Sequence, residues 1–173
     1  DVRDSILGTF NRYEFTLEES AAASEVVSID PSMFGLVLES LSSEGERKAK
    51  GIHYTPLVIA QTLAFESIVS RIAEMSGIEE KRLRDFAKGK AQTLSVSQAE
   101  QVSDVLHKMR ILDPAVGSGS LLLAALNELM ELKNKCLTRL GQPLIKGKPA
   151  YAKAVRQFVR ESLYGVDIDE DAI

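Results

Sequence analysis

The stretch Ile111-Leu-Asp-Pro-Ala-Val-Gly-Ser-Gly-Ser-Leu-Leu-Leu123 decides the fold of this chain. Its apolar opening reads as a short buried strand over Ile111–Asp113, and Gly117 and Gly119 open a tight turn. An apolar helix pattern then runs from Leu121 to about Leu140. A strand that passes through a glycine-rich turn into a helix brings bare backbone close to a ligand, because glycine has no Cβ to clash. The N–H groups at the helix start then face a polar or anionic group. A Gly-x-Gly pair alone is a weak signal. Here Asp113-Pro114 precedes it, and Leu163-Tyr-Gly-Val-Asp-Ile-Asp169, a second apolar run ending in acids, follows it. The combination suits a nucleoside-bearing cofactor, with glycines for its charged tail and a carboxylate for its ribose hydroxyls.

At 173 residues the chain is long enough for one domain with a core, or for a domain plus a helical extension. Apolar residues make up 45% and charged residues 27%, the balance of an ordinary globular protein. No apolar run approaches the roughly 20 residues that span a bilayer. The N-terminus lacks the basic-then-apolar layout of a signal peptide. The single cysteine, Cys136, excludes an internal disulfide and a cysteine-rich metal site. Together these features predict a reducing, cytoplasmic setting without a membrane partner.

The net charge of −4 argues against the whole chain being a general nucleic-acid binder, but the charge is unevenly spread. Residues 1–30 hold seven acids against Arg3 and Arg12. Residues 132–160 hold Lys133, Lys135, Arg139, Lys146, Lys148, Lys153, Arg156 and Arg160 with no acid among them. That segment is either a solvated insertion or a phosphate-facing surface, since clustered Lys and Arg release counterions on meeting DNA.

Elsewhere the pattern is helical. Tyr13–Leu17 fits a short strand, and Thr16 with Glu19 fits a capping box. Asp30-Pro31 starts a helix with Met33, Phe34, Val37, Leu38 and Leu41 on one face. Thr55 is a predicted cap and Pro56 a predicted first helical residue, with Ile59, Leu63, Ile68, Val69 and Ile72 inward. A charged helix covers Ile78–Lys88, and Ser97-x-x-Glu100 caps another with Val102, Val105, Leu106 and Met109 inside. After the loop Gly141–Pro149, a helix over Tyr151–Ser162 turns Ala154, Val155, Phe158 and Val159 inward and leads into a parallel strand, Leu163–Asp167. Two parallel strands alone leave a sheet face and an edge uncovered, so the chain is expected to be a fragment of a longer protein.

Three segments, in this order, resemble the N6-adenine DNA methyltransferases, especially the large enzymes of type IIG restriction–modification systems. Asp30-Pro-Ser-Met-Phe-Gly-Leu-Val-Leu-Glu-Ser-Leu with Glu46-Arg-Lys-Ala-Lys-Gly-Ile-His-Tyr-Thr-Pro56 is similar to that family's helix, basic pair and G-x-Y/H-Y-T-P motif. Asp113-Pro-Ala-Val-Gly-Ser-Gly119 is similar to its DPAxGSG cofactor loop, and Tyr164-Gly-Val-Asp-Ile-Asp169 to its GV(D/E)ID strand. The resemblance implies an α/β fold. A mainly helical N-terminal region (1–108) precedes the first strand–helix–strand part of a Rossmann-like, S-adenosylmethionine-dependent methyltransferase domain (109–173), truncated. It implies S-adenosyl-L-methionine as cofactor and, for the full-length protein, double-stranded DNA as partner and restriction–modification as setting. Gly117 and Gly119 would meet the methionine portion, with Asp113, Pro114 and Ala115 shaping the pocket. Asp167 would accept from the ribose hydroxyls, Ile168 would pack on the adenine, and Tyr54, Thr55 and Pro56 would lie near the cofactor's amino-acid end.

The departures from the family are informative. Ser120-Leu121 stands where a Phe is common. The gap between Asp113 and Asp167 far exceeds the roughly 20 residues of a compact unit, which implies a basic helical insertion at about 133–160. No Asn-Pro-Pro-Tyr/Phe motif occurs to hold a flipped adenine, so no catalytic residue is assigned, and no metal ligand either. RNA or protein-amide methyltransferases share such cofactor loops, and a non-catalytic interaction domain could retain the fold. A nicotinamide site is disfavoured because Gly117-Ser-Gly119-Ser-Leu-Leu lacks the third glycine of G-x-G-x-x-G. The chain on its own is therefore expected to transfer no methyl group. Incubation with labelled S-adenosylmethionine and mixed-sequence duplex DNA checks this, and label in the DNA above background would contradict it.

Overall fold

A computed structural model of the chain describes residues 55–90 and 94–168. In chain order these form α1 (Leu57–Ser76), α2 (Glu80–Ala87), α3 (Val96–Lys108), β1 (Ile111–Asp113), α4 (Ser120–Arg139), α5 (Pro149–Glu161) and β2 (Leu163–Gly165). The readings at Tyr13–Glu19, at the helix after Asp30 and at Glu46–Tyr54 lie outside the described residues. The described region is mainly helical with a small parallel sheet, an α/β arrangement.

Helix α1 begins one residue later than its sequence suggests. Pro56 is its N-cap, with extended backbone at φ −54° and ψ 137°, and Thr55 makes no capping bond. The Pro56 carbonyl accepts from the amides of Ile59 and Ala60, which closes the first turn without a side chain. The helix stops at Gly77, whose φ of 68° turns the chain left-handed while its N–H still reaches the Ala73 carbonyl. Its buried stripe is Ala60, Ala64, Ile68, Val69 and Ile72, whereas Ile59 and Leu63 are about half exposed. The expected inward positions of those two are thus wrong. Two alanines one turn apart permit a close helix approach, and close approach rotates the bulkier neighbours outward.

Helix α2 is fastened to α1 by Arg84, which donates to both Glu66 oxygens at 2.7 and 2.5 Å and to Glu80 at 2.5 Å. Leu83, Phe86 and Ala87 face the core beneath this exposed cluster. Helix α3 does open on a capping box, but on Ser95 and Gln98 rather than Ser97 and Glu100. The Gln98 amide donates to Ser95 Oγ and the Ser95 amide to Gln98 Oε1, both at 3.1 Å. Fully buried Ala99 lies in line with Val102 and Leu106 on the inner face of the helix. In α5, Phe158 is buried and Ala154 and Val155 are partly so, but Val159 faces outward.

Helix α4 lies at the centre. It packs against α1, α3, α5 and both strands, and buries Ala124, Ala125, Leu129, Met130, Leu132 and Cys136. The hydrophobic core is one cluster drawn from all five helices, and it runs without a break past residue 108. The strands pair in parallel with Ile111 opposite Leu163, Leu112 opposite Tyr164 and Asp113 opposite Gly165. The crossover passes through α4 and α5, which pack on the sheet, while Leu112, Tyr164 and Val166 remain exposed. The regular ladder ends at Gly165, two residues short of the predicted strand end.

The basic block of residues 133–160 divides. Lys133, Lys135 and Arg139 belong to the last two turns of α4; Lys133 is buried and Lys135 half-buried, contrary to the solvated or phosphate-facing readings, while Arg139 is exposed but bonded to the protein. Lys133 is only 8% exposed and donates to Ser103 Oγ at 2.7 Å, with its second contact to His107 Nε2. Lys135 bonds the Ala87 carbonyl and Glu131, and Arg139 bonds the Leu94 carbonyl at 3.2 Å. A buried ammonium is tolerated only where acceptors replace water. Neutral His107 can accept at Nε2 only with its proton on Nδ1. Its ring stacks on Phe158 at 6.1 Å between centroids, which ties α3 to α5 through the same cluster.

Burial, and then the Lys133 charge, hold the His107 pKa below its ordinary value. The native state therefore binds fewer protons than the unfolded chain between that lowered value and about 6.5, and stability rises with pH across this window. His107→Gln keeps an acceptor for Lys133 but does not titrate. Unfolding followed from about pH 7.5 down to about pH 5 should show a steeper loss of stability for wild type than for His107→Gln. Parallel curves would mean that His107 protonates without cost.

Candidate functional site

Between β1 and α4 the chain makes a tight arch, and four bonds define its shape. Asp113, buried at the end of β1, accepts the Ala115 amide on its own Oδ1 at 3.1 Å, closing a turn over Pro114. The Val116 amide donates to the Val166 carbonyl at 3.0 Å, and the Val166 amide to the Asp113 carbonyl at 2.9 Å. The Gly119 amide donates to the Val116 carbonyl at 2.7 Å. These bonds extend the pairing of the two segments beyond the regular ladder and lock the arch to the end of β2.

Gly117 and Gly119 sit at φ 48° and 77°, in the left-handed region where a side chain is strained. A Cβ built on either would meet no atom within 4 Å, so open space lies beside both. Gly119 is the N-cap of α4 and offers no side-chain acceptor, and the first turn contains no acid. The positive end of the α4 dipole and its leading amides thus have no side-chain acceptor at this cap. The Ser118 and Ser120 hydroxyls bond each other at 3.0 Å beside it.

The decisive contact is the Gly117 amide donating to Asp167 Oδ2 at 2.7 Å, across fifty residues of sequence. It brings the glycine arch and the acid after β2 into direct contact. Asp113, Pro114, Ala115, Gly117, Gly119 and Asp167 are therefore gathered at one end of the sheet. Ile168 follows at 91% exposure, with its side chain open to solvent. Thr55 and Pro56 stand just before α1, and among the described residues no hydrogen bond links them to the arch. Tyr54 lies outside the described residues.

A separate groove of about 450 Å³ runs between α1 and α4, lined by Gln61, Thr62, Phe65, Glu128 and Glu131 among others. No residue of the glycine arch lines it. Burial, and then the neighbouring Glu131, push the Glu128 pKa upward. Among the described residues no group of His, Cys, Asp or Glu could hold a metal ion.

No protein-family model matches the chain, and no solved structure matches it. A candidate type II restriction enzyme and methyltransferase of Methanocaldococcus jannaschii is 29% identical over 194 aligned residues. The chain is similar to a methyltransferase of restriction–modification type. The match takes in all of this chain and 15% of that protein's length, so the glycine arch, Asp167 and the α1 approach all fall within it. No described helix is long and apolar enough to cross a membrane.

Sequence reading missed one residue of this site. At Gly165 an added Cβ would lie 2.8 Å from Val116 Cγ2 and 3.0 Å from Val116 Cβ. The glycine is there because the arch crosses β2 too closely for any side chain. Its place in the Tyr164-Gly-Val-Asp motif was the one available signal. Gly165→Ala must displace Val116, whose amide is bonded to Val166, and should cost about 1–3 kcal/mol as overpacking does. Denaturant unfolding of wild type and variant measures it, and an unchanged midpoint would show that the arch moves aside freely.

Proposed function

We propose that this chain is the cofactor-binding part of an S-adenosylmethionine-dependent DNA methyltransferase acting on adenine N6, within a longer restriction–modification protein. The observation that carries the reading is the Gly117–Asp167 contact, which joins the glycine arch to the acid that the methyltransferase pattern pairs with it. The similarity to the Methanocaldococcus jannaschii protein supports the same reading.

The residues present fit such a cofactor. The space beside Gly117 and Gly119 admits a ligand to bare backbone, and the α4 N-terminus, without an acid in its first turn, suits a carboxylate. S-adenosylmethionine supplies the electrophilic methyl group. Asp113, closed on the Ala115 amide, holds the arch in shape, and Pro114 and Ala115 form its outer wall. Asp167 already accepts the Gly117 amide, but a carboxylate has about four lone-pair sites, which suits the ribose hydroxyls as well. Ile168, with its side chain exposed, would lie on the adenine face. Tyr54, Thr55 and Pro56 would complete the amino-acid end, where the α1 start adds a second helix N-terminus. The exposed sheet face of Leu112, Tyr164 and Val166 fits a sheet completed by further elements of the longer protein, since parallel sheets are covered on both faces. The part that flips and holds the adenine belongs, on this reading, to that remainder.

Replacing Asp167 by Ala removes a charged acceptor from ligand and loop alike, an interaction worth roughly 1.5–3 kcal/mol. Affinity for S-adenosylmethionine in the intact protein should fall about ten- to a hundredfold, at about 1.4 kcal/mol per decade. Asp167→Asn keeps an acceptor for the Gly117 amide and should fall less. Gly117→Val should be as harmful as Asp167→Ala, because valine is strained at φ 48° and fills the open space. Calorimetric titration of the folded proteins decides it, and equal affinities throughout would refute this pocket.

A further inference from the structure

The basic block of residues 133–160 keeps a surface component after Lys133, Lys135 and Arg139 are accounted for. On α5, Lys153, Arg156 and Arg160 stand at helical spacing i, i+3 and i+7, all exposed, on the side opposite buried Phe158. Lys148, exposed, is the N-cap of the same helix. Among the described residues none of these four takes part in an ion pair or side-chain hydrogen bond. Several cations elsewhere are matched, as in Arg71 with Glu74, Arg84 with Glu66 and Glu80, and Lys90 with Asp85, while the α5 row sets unmatched cations together on one helix face.

Helix stability does not account for the placement. The first turn of α5 contains no acid, and Lys148 and Lys153 stand at or near its positive end, where cations are mildly unfavourable. Only Arg160, in the last turn, complements the dipole. The one acid on α5 itself is Glu161, which accepts from Gln157 at 3.0 Å. From residue 153 to 160 the helix rises about 10 Å, a length of duplex axis over which each strand carries about three phosphates.

We infer that the outer face of α5, through Lys148, Lys153, Arg156 and Arg160, is a contact surface for the phosphate backbone of duplex DNA. It reads charge and not sequence, because three or four cations on one helix face reach phosphates without a base-reading element. The inference rests on the proposed DNA reading and gives that partner a docking face.

Binding of duplex DNA by the intact protein, measured by fluorescence anisotropy against salt concentration, tests it. Lys153→Gln, Arg156→Gln and Arg160→Gln combined should flatten the slope of log K against log salt by about 2–3 units, at about 0.9 per phosphate lost. The loss should be equal for any DNA sequence, with S-adenosylmethionine affinity unchanged as the check on folding. An unchanged slope, with wild type binding duplex DNA normally, overturns the α5 surface and leaves the DNA reading intact. A wild type that fails to bind duplex DNA, or that binds RNA in preference, overturns both.

Discussion

The burial of α4 on several sides at once is the constraint on which the described structure depends. A helix that contacts α1, α3, α5 and both strands has little surface left for water. Leu129 and Leu132 are almost wholly buried, and each contributes about 1.5–3 kcal/mol relative to exposure. The same burial imposes a cost wherever the sequence is polar. At Lys133 the cost is offset by Ser103 and His107, two acceptors from one helix, so a charged residue also fixes how α3 lies on α4. Apolar packing alone would tolerate some sliding of α3, and two directed bonds to a single ammonium resist it. Cys136, one turn further on, has no such partner; burial pushes its thiol pKa up to about 12, so it stays a neutral apolar residue.

The centrality of α4 also positions the site. Its first residue follows the glycine arch directly, so any force that seats α4 seats the arch. The three-residue strands could not do this unaided, since so short a parallel pair is not stable in water. Packing of α4 on the sheet holds β1 and β2 in register, and register sets Asp113 opposite Gly165. From there the two bonds at Val166 and the close crossing of Val116 over Gly165 follow by chain geometry.

What could be read in the sequence was whatever is fixed locally. The strand at Ile111–Asp113, the turn at Gly117 and Gly119, and the helix after it depend on residues within one turn of each other. The second parallel strand was legible for the same reason. Helix faces were harder: Ile59 and Leu63 looked inward by hydropathy, but the small side chains of Ala60 and Ala64 decided which side of α1 approaches the core. Lys133 was misread because its acceptors stand 30 and 26 residues away and no local pattern announces them. Gly165 was passed over because its need is tertiary, a crossing chain rather than a turn. The candidate site was legible as a list of residues, but the bond that joins its two halves was not.

That bond changes what Asp167 does. A carboxylate that is not held in place samples several rotamers and loses that freedom on meeting a ligand. With the Gly117 amide on one oxygen, the carboxylate and the arch restrict each other before any ligand arrives. Under the proposed function this lowers the ordering cost of binding, because groups already fixed have less entropy to lose. It also couples the two halves of the pocket. A ligand that occupies the arch beside Gly117 presses on the residue that orients Asp167, and a ligand held by Asp167 steadies the arch. One interaction of about 1.5–3 kcal/mol is comparable to one or two decades of affinity, so its loss would be felt at both ends of a bound nucleoside. On that proposal, recognition of the cofactor's two ends would be a shared property of the arch and the strand behind it, joined by the Gly117 amide.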